Sequence, residues 1–200
     1  MNRSFAQALS YLLHPAVFPL LGTLAVMQFS PYFIPSNVLI ITLALVFTGT
    51  YVLPLAISYL LYKLDVIKSL EMKTAQERRI PYLVGAICYY FIATMINVLQ
   101  LPREAYLFLL ASTIIIVLHL MLLRFMKPSA HLGGIAGFTA LLFALSLKFQ
   151  INLLPLIALC IILCGFLASA RLYLKAHTPT EIITGFLTGV IVVFTVITLG

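Results

Sequence analysis

Apolar runs at roughly 13–34, 38–62, 82–100, 105–123, 132–147, 153–169 and 182–199 take up most of this 200-residue chain. A bilayer core takes about 20 apolar residues of helix per crossing, so runs of this length and number read as transmembrane helices. Prolines 31 and 35 break the end of the first run, and the fifth is short, so the expectation is six to seven spans. The polar inventory agrees: 12 Lys and Arg and 5 Asp and Glu stand against 63% hydrophobic residues. That leaves too little charge for a soluble surface, which excludes a soluble globular enzyme and a disordered chain. The expected fold is all-α, a polytopic transmembrane helix bundle forming a single domain over 1–200.

Smaller features fit the same frame. Only Arg3 stands before the first run, which Pro15 and Pro19 interrupt and no small-residue cleavage site follows. It reads as an uncleaved first span. The chain has 3 cysteines and no tryptophan. Cys160 and Cys164 lie a helical turn apart among Leu, Ile and Ala with no histidine near, so they read as packing, and an odd count makes no disulfide framework. Tyr11, Tyr32, Tyr62, Tyr82, Tyr106 and Tyr173 stand near the expected span ends, where an aromatic belt belongs.

The joins between runs are uneven. Leu101 to Glu104 and Lys148 to Asn152 are tight hairpins. Residues 63–81 form a long polar join carrying Lys63, Asp65, Lys68, Glu71, Lys73, Glu77, Arg78 and Arg79. Two shorter polar joins run from Arg124 to Gly134 and from Ser169 to Glu181. These three follow the second, fourth and sixth spans, so parity places them on one face of the membrane. The conclusion holds even if the first run does not cross. Ten of the 12 Lys and Arg lie on that face with the N-terminus, and only Arg103 and Lys148 lie opposite. The positive-inside rule therefore places the polar face in the cytoplasm. If Lys73, Arg78, Arg79, Lys127 and Arg171 serve a site instead, the bias is weaker and of the same sign.

Three stretches meet on that face: Lys73 to Pro81, Lys127-Pro-Ser-Ala-His131, and Ser169 to Glu181. They supply cations, the histidines His131 and His177, and Glu181 four residues after His177. Lys and Arg suit phosphate oxygens and the charge that develops in phosphoryl transfer. One histidine can attack phosphorus while another protonates the leaving oxygen, and a carboxylate can fix the attacking ring's tautomer. There is no P-loop and no Asp/Glu cluster for magnesium, so the chemistry expected here needs no metal or other cofactor. No basic stretch has a polar domain around it, so nucleic acid is not an expected partner.

These stretches resemble the three signatures of the type 2 phosphatidic acid phosphatase (PAP2) superfamily: Lys-x6-Arg-Pro, Pro-Ser-Gly-His and Ser-Arg-x5-His-x3-Asp. The likeness covers about 70–185, which would be a PAP2-like core. It implies His177 as the nucleophile forming a phosphohistidine, Glu181 orienting it, and His131 as general acid and then activator of water. It further implies a phosphate held by Lys73, Arg171, Ser129 and one of Arg78 or Arg79. The departures are specific. Ile80 stands where the first signature has arginine, Ala130 replaces glycine, Ser169 is displaced by one position, and Glu181 replaces aspartate. The activity implied is an integral-membrane, metal-independent phosphatase of a lipid phosphate or pyrophosphate, with membrane lipid as its surroundings. The alternative is a catalytically degraded relative with a lipid-binding or transport role. Many members of the superfamily act on the outer face of the cell membrane, which conflicts with the charge count.

Several of these residues have plainer readings. Thr178-Pro-Thr-Glu181 is a helix capping box with proline at the first helical position. Arg171 and Lys175 suit headgroup anchors. His119 reads as a neutral interhelical hydrogen bonder, and Gly133, Gly134 and Gly137 as a close helix contact.

Overall fold

The computed structural model describes residues 1–70 and 74–200. Lys73, an expected phosphate ligand, lies outside the described residues. The helices are α1 (Arg3–Leu12), α2 (Phe18–Phe29), α3 (Ser36–Phe47), α4 (Leu53–Lys63), α5 (Ala75–Val98), α6 (Arg103–Leu122), α7 (Ala130–Phe149), α8 (Leu154–Tyr173) and α9 (Pro179–Leu199). No strand occurs among the described residues. Among the described residues, seven helical stretches are long and apolar enough to cross a membrane, with α1–α2 and α3–α4 each counting as one. The protein is thus an all-α, multi-pass integral membrane bundle. Large apolar side chains such as Phe91, Ile161, Ile162 and Leu187 stand exposed on its outside, an arrangement stable in hydrocarbon rather than water.

The elements differ from the sequence expectation at their ends, for local reasons. Pro15 disfavours helix at the residue before it, and His14 is extended (φ −64°, ψ 137°). The first span is therefore two helices with a 3₁₀ turn, Pro15–Val17, between them. α1 is a helix that the apolar-run criterion passes over, since it buries only Ala6 and Ser10. α5 begins at Ala75 instead of after Pro81. A Thr74–Glu77 capping box starts it, and a membrane helix tolerates the hydrogen bond that Pro81 forfeits. Arg78 and Arg79 consequently sit on a helix, not in a loop. The fifth span is a full 20 residues, capped by Ser129 and closed by Gln150 in the left-handed conformation (φ 54°). A π-helical turn, Thr48–Val52, joins α3 to α4.

α7 is the central helix, packed against α9, α8 and α2, while α5 pairs with α6 and α1 lies on α8. The buried apolar cluster runs from Phe18 to Ile197. The α7–α9 contact is made through backbone. A Cβ on Gly189 would run into the Gly133 carbonyl, and one on Gly185 into the backbone of Ser129. Gly133 and Gly137 on one helix, and Gly185 and Gly189 on the other, each stand one turn apart, the small-residue spacing that lets membrane helices approach closely. On the hairpin face, Lys148 pairs with the buried Glu104 at 2.9 Å, joining the end of α7 to the start of α6.

Candidate active site

The second and third polar joins are stitched together. Ser129 N–H donates to the Glu181 carbonyl (2.9 Å), and Lys127 N–H donates to Glu181 Oε1 (3.1 Å). Local sequence explains how the third join reaches back. After α8, Lys175 adopts φ 51°, with Lys175 N–H bonded to the Leu172 carbonyl and Ala176 N–H to that of Arg171. This is the Schellman closure, and it reverses the chain so that His177 falls over Lys127. Thr178 then caps α9, with Pro179 in its first turn and Glu181 completing the capping box.

His177 is buried, and its Nδ1 faces two acceptors, the Lys127 carbonyl (3.1 Å) and Glu181 Oε2 (3.3 Å). Two acceptors require a proton between them, so Nδ1 carries the hydrogen and the lone pair of the neutral ring is on Nε2. Nε2 has no partner among the described residues. Burial, reinforced by the charges of Arg171, Arg78 and Lys127 and opposed by Glu181, pushes the His177 pKa well below the ordinary range. The ring is neutral at neutral pH. Glu181 serves its cap and this ring together, since Oε2 also accepts from Thr178 N–H (3.0 Å).

The cations gather around this ring. Arg171, in the last turn of α8, has a buried Nε with no hydrogen-bond partner among the described residues, a donor in position for an oxyanion. Arg78 reaches the Tyr82 hydroxyl at 3.3 Å and acts electrostatically on Arg171, Lys127 and His177. Arg79, one residue on, is exposed. A step of one residue turns the side chain about 100° around a helix of 3.6 residues per turn, so only Arg78 shares the inward face with Tyr82. Lys127 is half-buried, and burial together with Arg78 lowers its pKa.

His131 lies in the first turn of α7 with Nε2 3.2 Å from the Ser10 carbonyl. A carbonyl only accepts, so Nε2 carries the proton and Nδ1 is the atom open to exchange. Arg171 and His177 act on it electrostatically, which ties it to the same cluster. Ser129 differs from the expectation. It is fully buried, and its hydroxyl accepts from Leu132 N–H as the cap of α7. Ser169 is exposed and bonded back to Gly165 within α8. The structure therefore brings together His177, Glu181, His131, Arg171 and Arg78, gives Ser129 a capping duty, and turns Arg79 outward. Among the described residues no group of His, Cys, Asp and Glu could hold a metal ion.

Two contributors escape sequence reasoning. Lys127 enters through its backbone, which no motif reports. His14 stacks edge-on against His131 (ring centroids 5.6 Å) and takes Ala16 N–H on its Nδ1; the signal for it is parity, which sets the N-terminus on the motif face. His119, read as interhelical, bonds Thr188 of α9 at 2.8 Å.

Fold and cluster define a multi-pass membrane protein with a buried, cation-flanked histidine pair at one face. No family model matches the chain, and neither a curated protein nor a solved structure is found to match it.

Proposed function

We propose that this protein is a metal-independent phosphatase of lipid phosphates or pyrophosphates, working through a phosphohistidine. The observation that carries the reading is the His177 ring: Nδ1–H is fixed by a carbonyl and a carboxylate, and an unpartnered Nε2 lone pair stands among cations. In the first step Nε2 attacks phosphorus and the bond from phosphorus to the lipid oxygen breaks. That oxygen takes a proton from Nδ1 of His131 in its doubly protonated form, whose Nε2–H stays on the Ser10 carbonyl. The positive charge on the His177 ring is stabilised by Glu181 through Nδ1–H. In the second step neutral His131 Nδ1 takes a proton from water, whose oxygen attacks phosphorus, and the phosphorus–nitrogen bond breaks. Arg171 and Arg78 hold the non-bridging oxygens throughout. A cluster at the end of the spans favours a substrate that resides in the membrane. The site would face the cytoplasm by charge and the exterior by resemblance to the PAP2 superfamily, to which the chain would belong as a divergent member.

Detergent-purified protein should release phosphate from a panel of lipid phosphates and pyrophosphates in excess chelator, and His177→Ala should release none. Absence of release, or equal release by the variant, would leave the degraded, lipid-binding alternative in its place.

A further inference from the structure

Beside the cation cluster lies a cavity of about 210 Å³ that the chemistry above does not use. It is lined by the start of α2, the π-turn, α5, α6, α7 and Val193 of α9, and is open on one side. Most of the polar groups on its wall have partners elsewhere. Thr50 and Ser112 donate to carbonyls of their own helices, at Val46 and Phe108, and His119 is bonded to Thr188. What faces the space is mostly hydrocarbon, which offers water few partners and suits an apolar occupant. Tyr82 belongs to the wall, and its hydroxyl receives Arg78. The apolar space and the cations therefore meet at one residue. Gly85, about one turn along α5 from Tyr82 and two from Arg78, also lines the cavity, and a Cβ there would meet nothing within 4 Å. The π-turn on the opposite wall is a local irregularity of the type that marks functional sites in helices.

We infer that this cavity seats the phosphate-proximal segment of one hydrocarbon chain of the substrate. The inference rests on reading the cation cluster as a phosphate site. It adds the chemical class of the group attached to that phosphate: a single unbranched or isoprenoid-type chain, with any second chain left in the bilayer. A water takes about 30 Å³ of liquid and a methylene is of similar size, so the cavity holds on the order of seven such groups. It is a slot for part of one chain and too small for two.

The test is kcat/KM for n-alkyl phosphates from two to twelve carbons, used as monomers. Burial of each methylene predicts a rise of roughly fourfold per carbon, ending near seven carbons. Gly85→Leu should abolish that dependence, so that octyl phosphate is turned over no faster than ethyl phosphate. Gly165→Leu, on the exposed side of α8 where a Cβ also meets nothing, should keep the wild-type slope. A slope retained in Gly85→Leu overturns the inference. A second readout is independent of catalysis and of that variant's folding. Dodecyl phosphate with a mid-chain diazirine should label Tyr89 or Ile116 in both the wild type and His177→Ala. Labelling confined to outward residues such as Ile161 overturns the slot. Labelling inside the cavity without hydrolysis of any substrate retains the slot and removes the phosphatase.

Discussion

Glu181 does three things with one carboxylate: it caps α9, fixes the backbone of Lys127 and holds the proton on His177 Nδ1. An amide in its place would turn an N–H donor toward Nδ1–H and favour the other tautomer, in which Nε2 carries the proton and cannot attack. The Lys127 carbonyl still holds the native tautomer in part. Glu181→Gln should therefore lower kcat by roughly 10²-fold, the low end for losing a tautomer-fixing group, with a smaller change in KM. His177 also sets a pH signature. Its pKa is held below the usual value of about 6.5, so kcat/KM should fall on the acid side as His177 protonates, and on the alkaline side as His131 loses the proton it donates. Removing a neighbouring cation makes protonation easier, so Lys127→Met should move that acid limb to higher pH. The same shift bears on stability. Below pH of about 6.5 the unfolded chain gains a proton that folded His177 resists, so stability is lost as pH falls through that window. Residue pattern singled out Glu181 and His177 by their i, i+4 spacing, and the structure places the two side chains in contact. It left Arg78 and Arg79 equivalent, because only the extension of α5 past Pro81 decides which of them faces inward. Ser129 was expected as a phosphate ligand from the resemblance alone, and its duty as the cap of α7 was not read, because a serine before a helix gives the same sequence signal for either role.

At the scale of elements, the contact of α7 with α9 sets the geometry of the cluster, since Gly185 lies against the backbone of Ser129, two residues from Lys127. Gly189→Ala should push the helices apart at the Gly133 carbonyl. Overpacking of this kind costs about 1–3 kcal/mol, so the Tm in detergent should fall, while Gly165→Ala should leave it unchanged or slightly raised. A fall in neither variant would show that the helices pack through side chains instead. The glycines of α7 were readable as a packing face from their spacing. Gly85 was not, because what distinguishes it is space left open by five other elements. α1 was also missed. Its face buries against α8 as an amphipathic helix does, and a search for continuous apolar runs is blind to that pattern.

For the whole molecule, the arrangement of faces is the part that parity made legible: three joins far apart in the chain meet because an even number of crossings separates them. In a variant lacking Cys88, Cys160 and Cys164, all buried, Lys175→Cys and Arg124→Cys should react with an impermeant thiol reagent from one side of the membrane. Gln100→Cys and Gln150→Cys should react from the other. Labelling of Lys175→Cys and Gln150→Cys from the same side would break the seven-span topology. The same experiment in oriented vesicles assigns the motif face to the cytoplasm or the exterior, a choice on which charge and resemblance disagree.

The stitch between Lys127, His177 and Glu181 has a consequence for how the molecule comes into being. The carboxylate that gathers these groups is the third residue of α9, which leaves the ribosome after α1–α8. A nascent chain halted before residue 181 would already hold its earlier spans, its cations and all four of its histidines, and would still lack the anchor that gathers them. The groups of the cluster are thus made first, and the contact that gathers them forms only when α9 joins the bundle.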